Sequence, residues 1–218
     1  NTLGKRLKAV KTLEELRKIS VLDLACGSGS FLIGAFDILY KKYRSFYGNK
    51  INPETDFKLK REILLNNLYG VDLDERAVQI AQLNLLLKAI IGTNINDIRR
   101  KRLLPDLSFN IRCGNALIGG NEKLLSQHKA ELKKMVALKG RLKSIQLGEG
   151  IDEATLKDTK EAIFEIEGDI VFHINNGLER YFRNPEVYKP FSFKLSFYEV
   201  FQNGGFDVIV GNPPYVRQ

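Results

Sequence analysis

Val21-Leu22-Asp23-Leu24-Ala25-Cys26-Gly27-Ser28-Gly29-Ser30-Phe31 is the stretch on which the reading of the chain turns. Two apolar residues lead into Asp23, small residues and two glycines follow, and Phe31, Leu32, Ala35, Phe36 and Leu39 then recur at helical spacing. The pattern predicts a strand, a tight turn and the start of a helix. Gly27 and Gly29 lack a Cβ, so the turn can take positive φ and a ligand can approach the backbone closely. The unpaired N–H groups of the first helical turn face the same point. A polar ligand is expected there.

Spacing narrows its identity. A dinucleotide fingerprint requires a third glycine three positions after the second, and that position is Leu32; Gly34 is out of register. No Lys-Ser/Thr pair follows, so a phosphate-cradling P-loop is excluded too. What remains is a nucleoside cofactor without a phosphate, and S-adenosylmethionine is the common one.

Outward from this turn, Leu13, Leu16 and Ile19 predict one helix ahead of the strand. Downstream, helices are expected over 31–47 and 57–67, then a short strand from Leu68 ending in the acids Asp72 and Asp74, with Asp74 capping an apolar helix over 75–89. Asp72 is a candidate acceptor for ribose hydroxyls, although it lies well beyond the usual connection of about 20 residues, so an extra helical piece intervenes. A third strand over 109–112 leads into Cys113-Gly114-Asn115-Ala116-Leu117. The Asn115 amide can pair with an adenine edge, with Leu73 and Ala116 sandwiching the ring; an ordinary turn asparagine after Gly114 is an equal reading. Cys26 and Cys113 read as small buried residues, since neither neighbours a His or forms a Cys-x-x-Cys pair.

From 121 to about 181 the chain turns into charged helices. Leu125, Leu132, Met135 and Leu142 form one stripe, and Leu156, Ile163, Ile166, Ile170, Ile174, Leu178 and Tyr181 another. This predicts a helical hairpin inserted in the α/β core, with His128 and His173 near its seam. Its charges are mixed in sign, favouring a solvated face over a nucleic-acid face. An aromatic piece containing Phe191, Phe193, Phe197, Tyr198 and Phe201 follows, and then Val208 to Gly211, an apolar run suited to a buried parallel strand. It ends in Asn212-Pro213-Pro214-Tyr215.

Composition sets the bounds. The 218 residues carry 34 Lys and Arg against 26 Asp and Glu, a net charge of +8 that leans towards an acidic partner such as nucleic acid. The run Arg99-Arg100-Lys101-Arg102 reads as a solvated turn. Two cysteines and two histidines exclude a disulfide framework and a structural zinc set, and no metal is expected. No bilayer-length apolar run and no signal-peptide layout is present in the sequence, which predicts an intracellular protein without a membrane partner.

The two prolines fix their own φ angles and keep Asn212 extended, so the Asn212 side-chain oxygen and the carbonyl after it stand in a fixed relation. Together they can accept both hydrogens of an exocyclic amine and turn its lone pair towards a sulfonium methyl. Tyr215 would stack on the base, worth about 1–3 kcal/mol, and the nucleotide must first be flipped from its duplex.

These residues carry a resemblance. Asp23 to Phe31 and Asn212 to Tyr215 resemble the cofactor and catalytic motifs of adenine-specific (N6) DNA methyltransferases. The motif order and the helical insertion resemble the methyltransferase region of type IIG restriction-modification enzymes and related phage-defence methyltransferases. The resemblance implies a partial Rossmann-like S-adenosylmethionine-dependent fold, a parallel sheet with helices on both faces plus the inserted hairpin. It divides the chain into a cofactor-binding half over 1–120, the insertion over 121–190, and a return to the core over 191–218. Asp23, Ala25, Cys26, Gly27, Ser28, Gly29 and Phe31 would wrap the methionine part of the cofactor. Asp72 would take the ribose, Leu73, Asn115 and Ala116 the cofactor adenine, and Asn212, Pro213, Pro214 and Tyr215 the target adenine of DNA.

Leu24 stands where proline is usual, which is expected to alter the strand exit little. A target-recognition region or partner subunit is expected beyond Gln218, and the chain alone is expected to bind cofactor weakly and lack DNA specificity, in a prokaryotic cytoplasm. Two alternatives stay open: an amino-group methyltransferase acting on RNA adenine or protein glutamine, and a non-catalytic scaffold in a defence complex.

Overall fold

The computed structural model describes residues 2–48, 51–93, 104–148, 152–175 and 189–212. The chain divides into two units, one formed by 1–100, 104–113 and 206–218, the other by 101–103 and 114–205.

In the first unit the N-terminal segment holds two helices, α1 (Thr2–Lys8) and, where Leu13 and Leu16 had predicted one, α2 (Leu13–Lys18). Thr12 accounts for the break. Its hydroxyl accepts the Glu15 N–H at 3.1 Å, while the Glu15 carboxylate accepts the Thr12 N–H, a reciprocal capping box that starts a new helix. Strand β1 (Val21–Asp23) runs through the glycine turn into α3 (Ser30–Tyr47). Helix α4 (Pro53–Asn66) starts four residues before the expected 57, because Asn52 caps it and Pro53 occupies the first helical position, where its missing N–H costs nothing. Strand β2 (Leu68–Asp72), helix α5 (Glu75–Ile90), capped by Asp74, and strand β3 (Ile111–Cys113) follow. Strand β4 (Val208–Val210) joins after the second unit.

The four strands form one parallel sheet in the order β3-β2-β1-β4, flanked by helices. Strand β1 therefore has β2 on one side and β4 on the other. The direction of winding reverses between β1 and β4, and in open α/β sheets the crevice at the carboxyl ends of strands at such a reversal is where ligands bind. The core is built from residues such as Leu22, Leu32, Phe36, Leu39, Tyr43, Ile63 and Leu68, all fully or almost fully buried. Tyr43 and Asn67 are paired inside it. The Tyr43 hydroxyl donates to Asn67 Oδ1 at 3.0 Å, and Asn67 Nδ2 donates to the carbonyls of Leu16 and Ile19 at 2.8 and 2.6 Å, tying the end of α2 beneath β1. Removing one partner of such a network costs about 1–3 kcal/mol, since the others stay buried.

Strand β4 departs from expectation. Val208 is buried, but Ile209 is 57% exposed, so one face of β4 is open where a buried strand had been expected, and among the described residues β4 pairs with β1 alone. At its start the Asp207 carboxylate accepts the Ser20 N–H at 3.0 Å and pairs with Arg6 at 2.8 Å, locking β4 against the entry to β1.

The second unit contains a 3-10 turn (Glu122–Gln127) and α6 (Lys129–Leu147), α7 (Glu153–Ile174), α8 (Phe193–Ser196) and α9 (Tyr198–Phe201). Helices α6 and α7 pack together, burying Leu132, Met135 and Leu142 with Ile163, Ile170 and Ile174. Leu156 and Ile166 are only half-buried, and Glu167 is buried instead, accepting the Ser196 hydroxyl at 3.0 Å. Leu178 and Tyr181 lie outside the described residues, as does the basic run Arg99 to Arg102. His128 Nε2 and His173 Nδ1 are 2.5 Å apart. The division between the units falls at 113/114 and 205/206. The reason is that Phe191, Leu195, Phe197 and Val200 are buried with the helices, and Lys139 Nζ donates to the Ser196 carbonyl at 2.6 Å and to Glu199 at 3.1 Å.

Candidate functional site

The site is built where β1 ends. Its turn is pinned on both sides: the Cys26 N–H donates to the Val71 carbonyl of β2 at 3.0 Å, and the Leu24 N–H donates to the Val210 carbonyl of β4 at 3.0 Å. The second bond corrects the expectation for Leu24. A proline there has no N–H, so leucine adds a rung between β1 and β4. Gly27 and Gly29 have φ of +51° and +86°, a region costly for any residue with a Cβ. They differ in surroundings. A Cβ on Gly29 would sit 3.2 Å from the Cβ of Ala81 on α5, whereas one on Gly27 meets nothing within 4 Å. Gly29 thus permits close packing of turn on helix, and Gly27 leaves open space at the crevice. Gly29 caps α3 without a side-chain bond to the first-turn amides.

Two carboxylates serve this turn. Asp72, half-buried at the end of β2, accepts the Gly27 N–H at 2.8 Å through Oδ2 and the Asp74 N–H at 2.9 Å through Oδ1. A carboxylate has about four lone-pair positions, so two acceptor positions remain for a ribose diol. Beside it Leu73 is 48% exposed, an apolar surface without cover. Asp23 is fully buried: Oδ1 accepts the Ala25 N–H at 3.2 Å, and Oδ2 has no hydrogen-bond partner among the described residues. Burial raises its pKa above the ordinary carboxylate value, and the neighbouring Asp72 charge raises it further. The orphaned oxygen fits an ammonium donor such as the amino group of a methionine moiety. Burial, with Asp23 and Asp72 nearby, pushes the Cys26 thiol up to about 12, so it is a packing group and no nucleophile. Gly70 makes room for it, since a Cβ there would lie 3.1 Å from the Cys26 sulfur. Phe31 projects from the first turn of α3 at 55% exposure.

Asn84 was not singled out from sequence. Its Nδ2 donates to the Ser28 carbonyl at 3.0 Å, bracing the turn from α5. An asparagine set between Leu83 and Leu85 in the apolar run of α5 was the available signal.

On the other side of the reversal, register pairs Asp23 with Val210, and Asn212 follows two residues later, exposed at the carboxyl end of β4. Pro213, Pro214 and Tyr215 lie outside the described residues. Asn115 and Ala116 belong to the second unit. There the Asn115 N–H donates to the Lys189 carbonyl at 2.7 Å and its Oδ1 accepts the Leu117 N–H at 3.0 Å, the geometry of a turn asparagine. Among the described residues no three His, Cys, Asp or Glu side chains are placed to hold a metal ion, and no helix is long and apolar enough to cross a membrane.

Comparison with known proteins adds a lineage. The model of the Eco57I restriction-modification methylase family matches residues 66–218, and that of N-6 DNA Methylase matches 7–113. A putative type II restriction enzyme and methyltransferase of Methanocaldococcus jannaschii, RM.MjaORFECS2P, is 31% identical over 93% of this chain and 22% of its own length. The type II restriction enzyme and methyltransferase RM.Eco57I of Escherichia coli is 35% identical over 57% of this chain and 13% of its own length. The adenine-specific methyltransferase PglX of Streptomyces coelicolor is 24% identical over 91% of this chain and 12% of its own length. The chain thus spans about a fifth or less of each of these relatives. With a family model matched over more than half its residues, the chain belongs to the Eco57I restriction-modification methylase family.

Proposed function

We propose that the chain is the cofactor-binding and catalytic part of an enzyme that transfers a methyl group from S-adenosylmethionine to the N6 amine of an adenine flipped out of DNA, in a restriction-modification or phage-defence system. The observation that carries this reading is the reversal at β1, where the buried Asp23 carboxylate and the open Gly27 share one end of the sheet with the strand that leads to Asn212. The relatives, named as methyltransferases of these systems, support the same reading.

When bound, the cofactor supplies a methyl group on a sulfonium, an electrophile that departs as a neutral thioether. In this reading Asp23 accepts its ammonium, the residues from Ala25 to Gly29 and Phe31 enclose its methionine part, and Asp72 takes the ribose hydroxyls. Asn212 Oδ1 and the carbonyl that follows it accept the two hydrogens of the adenine amine. Held so, the nitrogen would present its lone pair to the methyl that the cofactor supplies, and the two oxygens would stabilise positive charge on that nitrogen until it loses a proton to solvent. Tyr215 supports the flipped base from one face.

The test uses the intact parent protein with S-adenosylmethionine carrying a tritiated methyl group. Asn212→Ala is expected to lower kcat by about 10²–10³ with cofactor affinity kept, and Asp72→Ala to weaken cofactor binding by about tenfold or more, as expected when a charged hydrogen-bond acceptor is lost. Methyl incorporation into RNA or a protein glutamine but not DNA would overturn the substrate. Absence of cofactor binding by the wild type would overturn the reaction and favour a scaffold.

A further inference from the structure

Helix α6 carries six basic residues and one acid, whereas α7 carries six acids and two lysines. The mixture seen along the sequence is therefore sorted by helix. On α6 the buried residues Leu132, Met135, Lys139, Leu142 and Gln146 define the inward side. At about 100° per residue the opposite side holds Lys129, Lys133, Lys134 and Arg141, all exposed. Between them lie only Ala130, Ala137, Gly140 and Ser144, also exposed, and Glu131 is on the flank. The four cations extend over about 18 Å of helix.

Attraction between the oppositely charged helices is the simplest alternative account, and the contacts argue against it. Among the described residues none of these four cations lies within ion-pair distance of a carboxylate, and Glu161 of α7 pairs with Lys157 of its own helix at 3.8 Å. The positive face is unspent.

We infer that the outer face of α6 contacts the sugar-phosphate backbone of duplex DNA. This rests on the reading of the chain as part of a DNA-modifying enzyme. Charge complementarity selects a polyanion, and the small residues between the cations let the helix axis approach it closely. The face offers cations suited to phosphate oxygens and no Asn, Gln or aromatic side chain for adenine edges or stacking, so the contact is assigned to the backbone, where it positions the duplex. The acidic outer face of α7, with Asp158, Glu161, Glu165 and Asp169 exposed, repels the same polyanion and restricts the contact to one side of the hairpin.

The test measures binding of the 218-residue chain to a fluorescein-labelled 20-bp duplex by anisotropy across sodium chloride concentrations. The variant Lys133→Gln/Lys134→Gln/Arg141→Gln is expected to flatten the slope of log K against log[salt] by about 2–3, close to 0.9 for each phosphate no longer neutralised. Arg141→Gln alone is expected to flatten it by about one. A control with the same loss of charge, Lys8→Gln/Lys11→Gln/Lys18→Gln, keeps the wild-type slope, as does Glu161→Gln/Glu165→Gln. An unchanged slope in the α6 variants, or an equal change in the lysine control, overturns the inference, as does tight binding of polyglutamate without binding of DNA. A chain that binds duplex through α6 while its parent fails to bind S-adenosylmethionine would sink the methyl-transfer reading and leave this contact standing.

Discussion

At the scale of single residues, Asp23 is a costly group to bury. It is fully buried, one oxygen lacks a donor, and burial raises its pKa. A raised carboxyl pKa means that the folded chain holds the proton more tightly than the unfolded one. The contribution of Asp23 to stability is therefore greatest below the unfolded value of about 3.9 and declines as pH rises through the folded value. Asp23→Asn is expected to raise the melting temperature of the unliganded protein by a few degrees near pH 7 and to flatten its decline above pH 4, while weakening cofactor binding at least tenfold. Thermal denaturation from pH 4 to 8 with parallel calorimetry checks both. The position of Asp23 was legible because an apolar run ended in it. Its missing donor was not, because that depends on which amides the turn sends back, and only Ala25 does so. Asn115 shows the converse: the residue was legible as a candidate, but whether its amide was open or bound to Leu117 depended on local turn geometry.

At the scale of elements, the two glycines of the β1–α3 turn look equivalent in sequence and are not. Gly29→Ala combines positive φ with a contact 3.2 Å from Ala81, and is expected to destabilise the fold by about 2–3 kcal/mol. Gly27→Ala carries the backbone cost alone, about 1–2 kcal/mol, but points a methyl into the crevice. Denaturant unfolding and cofactor titration of the pair are expected to separate stability loss, larger at Gly29, from binding loss, larger at Gly27. Other elements were read with mixed success for stated reasons. The long helices α3 and α5 announced themselves by apolar periodicity. The start of α2 was written in Thr12-Leu13-Glu14-Glu15, a capping signature that agrees with the spacing of Leu13, Leu16 and Ile19.

At the scale of the whole chain, the parallel sheet followed from strand-turn-helix repetition, but strand order cannot be read from any one strand. The reversal at β1 required the second unit to be set aside and β4 to return beside β1. Phe191 and Phe197 are as apolar as a sheet core, and only packing reveals that they serve the helices. Among the described residues β4 pairs with β1 alone, whereas β1 and β2 each have two neighbours. Amides of β4 are accordingly expected to exchange with deuterium faster than those of β1 and β2, which mass-resolved hydrogen exchange can check.

The rung from Leu24 to Val210 has a mechanical implication. It rivets the last residue of β4 to the bend that follows β1, so a shift of the bend is handed straight to the segment carrying Asn212.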